Sequence, residues 1–89
     1  MERLGHPVER GLLNACYRER DKSPGREDEA VAATVTLFDN HLCRELGVSQ
    51  ERLRRARRYL QERGFLIAVP GKRGSGHCIY VLPHFRREL

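Results

Sequence analysis

The stretch Leu42-Cys43-Arg44-Glu45-Leu46-Gly47-Val48-Ser49-Gln50-Glu51-Arg52-Leu53-Arg54-Arg55-Ala56-Arg57-Arg58-Tyr59-Leu60-Gln61-Glu62-Arg63-Gly64-Phe65-Leu66-Ile67 decides the fold of this chain. Leu42, Cys43 and Leu46 recur at helical spacing for about two turns, and Gly47 stops that helix. Val48 supplies an apolar plug and Ser49 a cap, so a second helix starts at once. With Leu53 at zero on a wheel of about 100° per residue, Ala56 lies near 300° and Leu60 near 340°. Those three form a dry stripe. Arg54, Arg58, Glu51 and Arg55 fall between about 100° and 200°, with Gln50 and Gln61 on the flank. The second helix therefore has one dry face and one guanidinium face, and Gly64 ends it.

Downstream, residues 65–69 and 77–82 read as strands around Pro70-Gly71-Lys72-Arg73-Gly74-Ser75-Gly76, a hairpin with a flexible basic tip. The glycines there do not make a phosphate-cradling loop, because such a loop ends in Gly-Lys-Ser/Thr and runs into a helix, whereas a strand follows here. Upstream, Thr34-Val35-Thr36-Leu37 alternates polar and apolar residues and is rich in β-branched ones, the pattern of a short half-buried strand. Asp39 or Asn40 is placed to cap the helix that follows it. Pro7 opens a first helix that runs to about Arg20, with Val8, Leu12 and Cys16 in one stripe and Leu13 and Tyr17 beside it. The charged segment 21–29, broken by Pro24-Gly25, reads as an exposed loop.

With 89 residues, 39% of them hydrophobic and 33% charged, the chain is expected to form one modest domain over residues 1–89. The net charge is +5, and its distribution says more than its sum. Residues 49–77 hold eight bases (Arg52, Arg54, Arg55, Arg57, Arg58, Arg63, Lys72, Arg73) against two acids (Glu51, Glu62). The first 48 residues carry more acids than bases, so the positive excess is concentrated in one third of the chain, as a polyanion-binding surface requires. A solvated face that keeps the protein dispersed is the plainer reading of the same charge.

No apolar run approaches the roughly 20 residues that cross a bilayer, and no signal peptide is evident, so cytoplasmic residence without a membrane partner is expected. The 3 cysteines, Cys16, Cys43 and Cys78, are widely spaced and odd in number, which points to small buried hydrophobes in a reducing compartment. His77 beside Cys78, with His41 and His84 elsewhere, shows no metal-ligand spacing, and no cofactor is expected. Paired carboxylates and an activated nucleophile are likewise missing, so the chain does not read as an enzyme.

The order helix, short strand, helix, tight turn, basic helix and hairpin resembles the winged helix-turn-helix of bacterial and phage transcriptional regulators. The resemblance covers roughly residues 34–82, more than half the chain. It implies an α+β fold of three helices, a short strand and a C-terminal two-stranded wing, with the helix-turn-helix at about 39–64 and the wing at about 65–83. It also implies that Ser49, Gln50, Arg52, Arg54, Arg55 and Arg58 face double-stranded DNA from the second helix of the pair, and that Lys72 and Arg73 reach it from the wing. Two positions depart from the family pattern. Arg57 occupies a slot that is more often aliphatic and is expected to snorkel, off the DNA. Phe38 stands where a capping serine or threonine is common.

The chemistry is compatible with that implication. Arginine can donate a bidentate pair of hydrogen bonds to guanine and glutamine can do the same for adenine, and six arginines without a lysine over residues 50–63 suit geometric recognition. The expected function is sequence-specific DNA binding by a transcriptional regulator. A replication, partition or recombination accessory factor would use the same contacts. A winged-helix protein-interaction module would instead show an exposed apolar patch, with Phe65, Ile67 and Phe85 as candidates. RNA binding would need exposed aromatic platforms that are not evident. A homodimer is expected from the symmetry of such operators, through the first helix and the tail, with Phe85 and Leu89 as anchors.

Overall fold

Proline at the first helical position and a stripe of apolar residues every three or four places make the first element a helix. In a computed structural model that describes residues 6–22, 33–72 and 74–83, this is α1 (Pro7–Asp21). It is followed by β1 (Ala33–Phe38), α2 (Asp39–Leu46), α3 (Gln50–Glu62), β2 (Ile67–Pro70) and β3 (His77–Leu82). The described residues form an α+β arrangement of three helices and a three-stranded antiparallel sheet, with strand order β1-β3-β2. Most of the segment 21–29, the tail 84–89 with Phe85 and Leu89, and Arg73 lie outside the described residues.

Alternation along the strands separates the two faces of the sheet. Val35, Cys78, Tyr80 and Leu82 point inward and are buried. They meet Leu12, Leu13, Cys16 and Tyr17 from α1, Leu42 from α2, and the expected stripe Leu53, Ala56 and Leu60 from α3. Each of these three α3 side chains is at most 1% exposed, so the helical period read from the sequence is the one that packs.

The ends of the helices show why the chain turns where it does. Gly47 adopts φ 69°, a left-handed conformation that suits glycine, and Val48 N–H closes on the Cys43 carbonyl at 3.0 Å. Ser49 then caps α3, its Oγ accepting from Arg52 N–H at 3.1 Å. At the far end Gly64 has φ 81°, Phe65 N–H donates to Leu60 and Gly64 N–H to Gln61, the paired closure of a Schellman motif. That closure corrects the expected strand boundary. Phe65 and Leu66 are drawn into the core, 6% and 2% exposed, and the strand begins only at Ile67.

The start of α2 also differs from expectation. Neither Asp39 nor Asn40 caps it: the cap position is Phe38, extended at φ −97° and ψ 131°, with no side-chain hydrogen bond. Asp39 N–H instead donates to the Gly76 carbonyl at 2.8 Å, so hairpin backbone satisfies one of the amides that the first turn of the helix leaves without a partner. Among the described residues, no helix is long and apolar enough to cross a membrane.

Candidate nucleic-acid interface

Helix α3 distributes its arginines by what lies beside each position. Arg54, Arg55 and Arg58 are exposed, on the side away from Leu53, Ala56 and Leu60. Arg55 and Arg58 form no hydrogen bond or ion pair with any described residue, and Arg54 pairs only with Glu51, at 3.3 Å. That pair is 59% and 73% exposed, and surface pairs of this kind contribute about 0–1 kcal/mol, so Arg54 is readily released to a stronger anion. Gln50, at the start of the helix, donates from Nε2 to Asn40 Oδ1 at 2.9 Å. This contact ties the first turn of α3 to the first turn of α2. Ser49 is exposed at the same end but its hydroxyl is engaged as the helix cap.

Arg52 belongs to another surface. Its guanidinium makes two bonds to the Glu9 carboxylate on α1, Nη1 to Oε2 at 3.1 Å and Nη2 to Oε1 at 3.3 Å. The Glu9 side chain is only 7% exposed. Burial by itself pushes this carboxyl up, but the hydrogen bonds from Arg52, reinforced by backbone N–H and by nearby positive charge, outweigh it and hold the group below its ordinary range. The pair braces α1 against α3.

Arg57 is braced more deeply, and here the expectation of snorkelling is corrected. Its Nη2 donates to Asp39 Oδ1 at 2.7 Å and its Nε to the Tyr80 hydroxyl at 3.1 Å, leaving the side chain 12% exposed. The guanidinium turns inward because a carboxylate and a phenol lie there to receive it. Burial opposes its charge, yet the Tyr80 hydroxyl and the Asp39 carboxylate raise its affinity for the proton above the ordinary arginine value. Burial in turn pushes the Tyr80 phenol up, so it stays protonated and neutral.

Lys72 is exposed on the β2–β3 connection, in a turn closed by Ser75 N–H to the Lys72 carbonyl at 2.9 Å. Residue by residue, Gln50, Arg54, Arg55 and Arg58 come together on one solvent face of α3, with Ser49 at its start and Lys72 on a separate element. Glu9, Asp39 and Asn40 are the partners that sequence reasoning missed. A signal existed for Glu9: it sits three, four and seven places before Leu12, Leu13 and Cys16, on the apolar side of its helix. Among the described residues, no three His, Cys, Asp or Glu side chains converge as a metal site would need.

No protein-family model matches the chain, and neither the curated proteins nor the solved structures hold a match to it.

Proposed function

We propose that this chain is a winged helix-turn-helix protein that binds double-stranded DNA in a sequence-specific manner and acts as a transcriptional regulator. In this reading α2 and α3 are the helix-turn-helix, α3 enters the major groove, and the β2–β3 hairpin is the wing. The observation that carries it is the division of labour along α3. Two arginines are committed to internal carboxylates, whereas Arg55 and Arg58 stand exposed beside Arg54 with no acid partner among the described residues. Unpaired guanidiniums on one face of a helix are the donors that guanine edges and phosphates accept, at about 1–3 kcal/mol of discrimination for each good bidentate base contact.

Fluorescence anisotropy of a labelled duplex at two salt concentrations tests the reading, with the wild type beside Arg54→Ala/Arg55→Ala/Arg58→Ala. Four displaced counterions, one for each of these arginines and Lys72, would weaken binding about a hundredfold for a fourfold rise in salt. The triple variant should lose most of the affinity while keeping its helical circular dichroism. Failure of the wild type to bind DNA at low salt better than a neutral control protein overturns the proposal.

A further inference from the structure

The sheet has a second face, and it gathers the exposed large hydrophobics of the described residues. Register and alternation set nine outward positions on it in three rows: Thr34, Val81 and Ile67; Thr36, Ile79 and Val69; Phe38, His77 and Gly71. The third row extends the register by one residue through the Gly71 N–H to His77 carbonyl bond at 3.0 Å. A side chain at Gly71 would come within 2.5 Å of His77 Nε2, so the imidazole fills the space above that glycine. Phe38 packs its edge toward the same ring, with centroids 6.1 Å apart. Ile67, Phe38 and Val69 are 56%, 48% and 46% exposed, the three exposed large hydrophobics among the described residues.

In a chain that is 33% charged, none of these nine positions holds Asp, Glu, Lys or Arg. Phe38 makes the arrangement more pointed. A serine or threonine at this helix-capping position would contribute about 1 kcal/mol, yet an exposed aromatic stands there without a capping bond.

We propose that this face is a homotypic interface, on which a second copy of the chain seats face to face. Charge selects that occupant. Each copy carries +5, so two copies repel through their basic sides, and a face without like charge lets them meet at low electrostatic cost. Shape agrees with it, because sheets with β-branched rows pack on one another about 10 Å apart, and a two-fold pair needs only one self-complementary patch. Strands about 4.8 Å apart and outward residues about 6.8 Å apart give a patch of roughly 14 by 20 Å, smaller than the ~800 Å² per partner of a stable complex. The pair is therefore reversible, and forms at high concentration. The patch contains no residue of α3 and not Lys72; it shares the β2–β3 hairpin with the DNA-binding reading, but the inference needs no DNA contact and is tested without DNA.

Sedimentation velocity on the full chain, from low-micromolar to near-millimolar concentration, provides the test. The weight-average mass should rise from 10.3 kDa toward twice that value, and more so in added salt, which screens the repulsion between the copies. Ile67→Lys/Val69→Lys should hold the mass at the monomer value. Phe38→Ser should weaken pairing while keeping or raising the melting temperature, which separates loss of the interface from loss of the fold. A constant 10.3 kDa across the whole range overturns the proposal, as does self-association that survives both variants with the fold intact.

Discussion

The inner flanks and the outer face of α3 use the same residue for opposite ends. On the flanks, Arg52 and Arg57 reach Glu9 and Asp39, and both pairs join α3 to another helix. On the outer face, among the described residues, Arg55 and Arg58 find no acid, and Arg54 finds only a neighbour on its own helix. The difference is one of surroundings. A guanidinium at the edge of a packed stripe is drawn to any carboxylate across the interface, since leaving either charge buried and unpaired is costly. One that points to water loses nothing by waiting for an external anion. Arginine count alone therefore overstates the surface available to a polyanion.

The contrast is broken most severely from the partner side. Asp39→Ala leaves the Arg57 guanidinium largely buried without its carboxylate, and urea unfolding should show a loss of about 3–5 kcal/mol. A loss below 1 kcal/mol would mean that Arg57 escapes to solvent as readily as Arg54 does. Next in size is Arg52→Ala, which strands the buried Glu9 and should cost about 1–3 kcal/mol of stability, against less than about 0.5 kcal/mol for Arg54→Ala. In duplex binding the order of the two should reverse, with Arg54→Ala weakening affinity and Arg52→Ala leaving it near wild type.

Acid gives a subtler measure of the same flank. The Glu9 carboxyl titrates below its unfolded value near 4.5, so at intermediate pH the unfolded chain binds the extra proton and stability rises with pH. The contribution is present above about pH 4.5 and is lost as the pH falls through the lower folded value. The stability gap between wild type and Glu9→Gln should accordingly narrow as the pH falls from about 4.5 toward about 3. A gap that persists unchanged over that range would show that the carboxylate's charge is not what braces α1.

The smallest signal comes from the thiols behind Arg57. Burial pushes Cys16 up to about 12 and also raises Cys78, and both side chains are at most 1% exposed. A thiol reagent at pH 8 should therefore modify only the half-buried Cys43 in the folded protein and all 3 cysteines in denaturant. Rapid reaction of Cys16 or Cys78 in Asp39→Ala would place the loosening on the Arg57 flank.

Much of this was legible in the chain itself. Local chemistry determined the elements: Pro7 opens α1, Gly47 and Ser49 make the turn and cap, Gly64 ends α3, and the spacing of Leu53, Ala56 and Leu60 sets which side of that helix is dry. These signals act within a few residues, so no knowledge of the rest of the molecule is needed to read them. On the same wheel, Arg52 falls near 260° and Arg57 near 40°, flanking the stripe, which marks them as candidates for inward pairing without naming a partner. The partners are 43 and 18 residues away in sequence, and only the packing of α1 and α2 against α3 decided that carboxylates would meet those flanks. The same holds for the sheet. Alternation in β1 and β3 was readable, but the three rows that leave Ile67, Val69 and Phe38 on an uncharged face follow from strand register, a long-range property that no local pattern encodes.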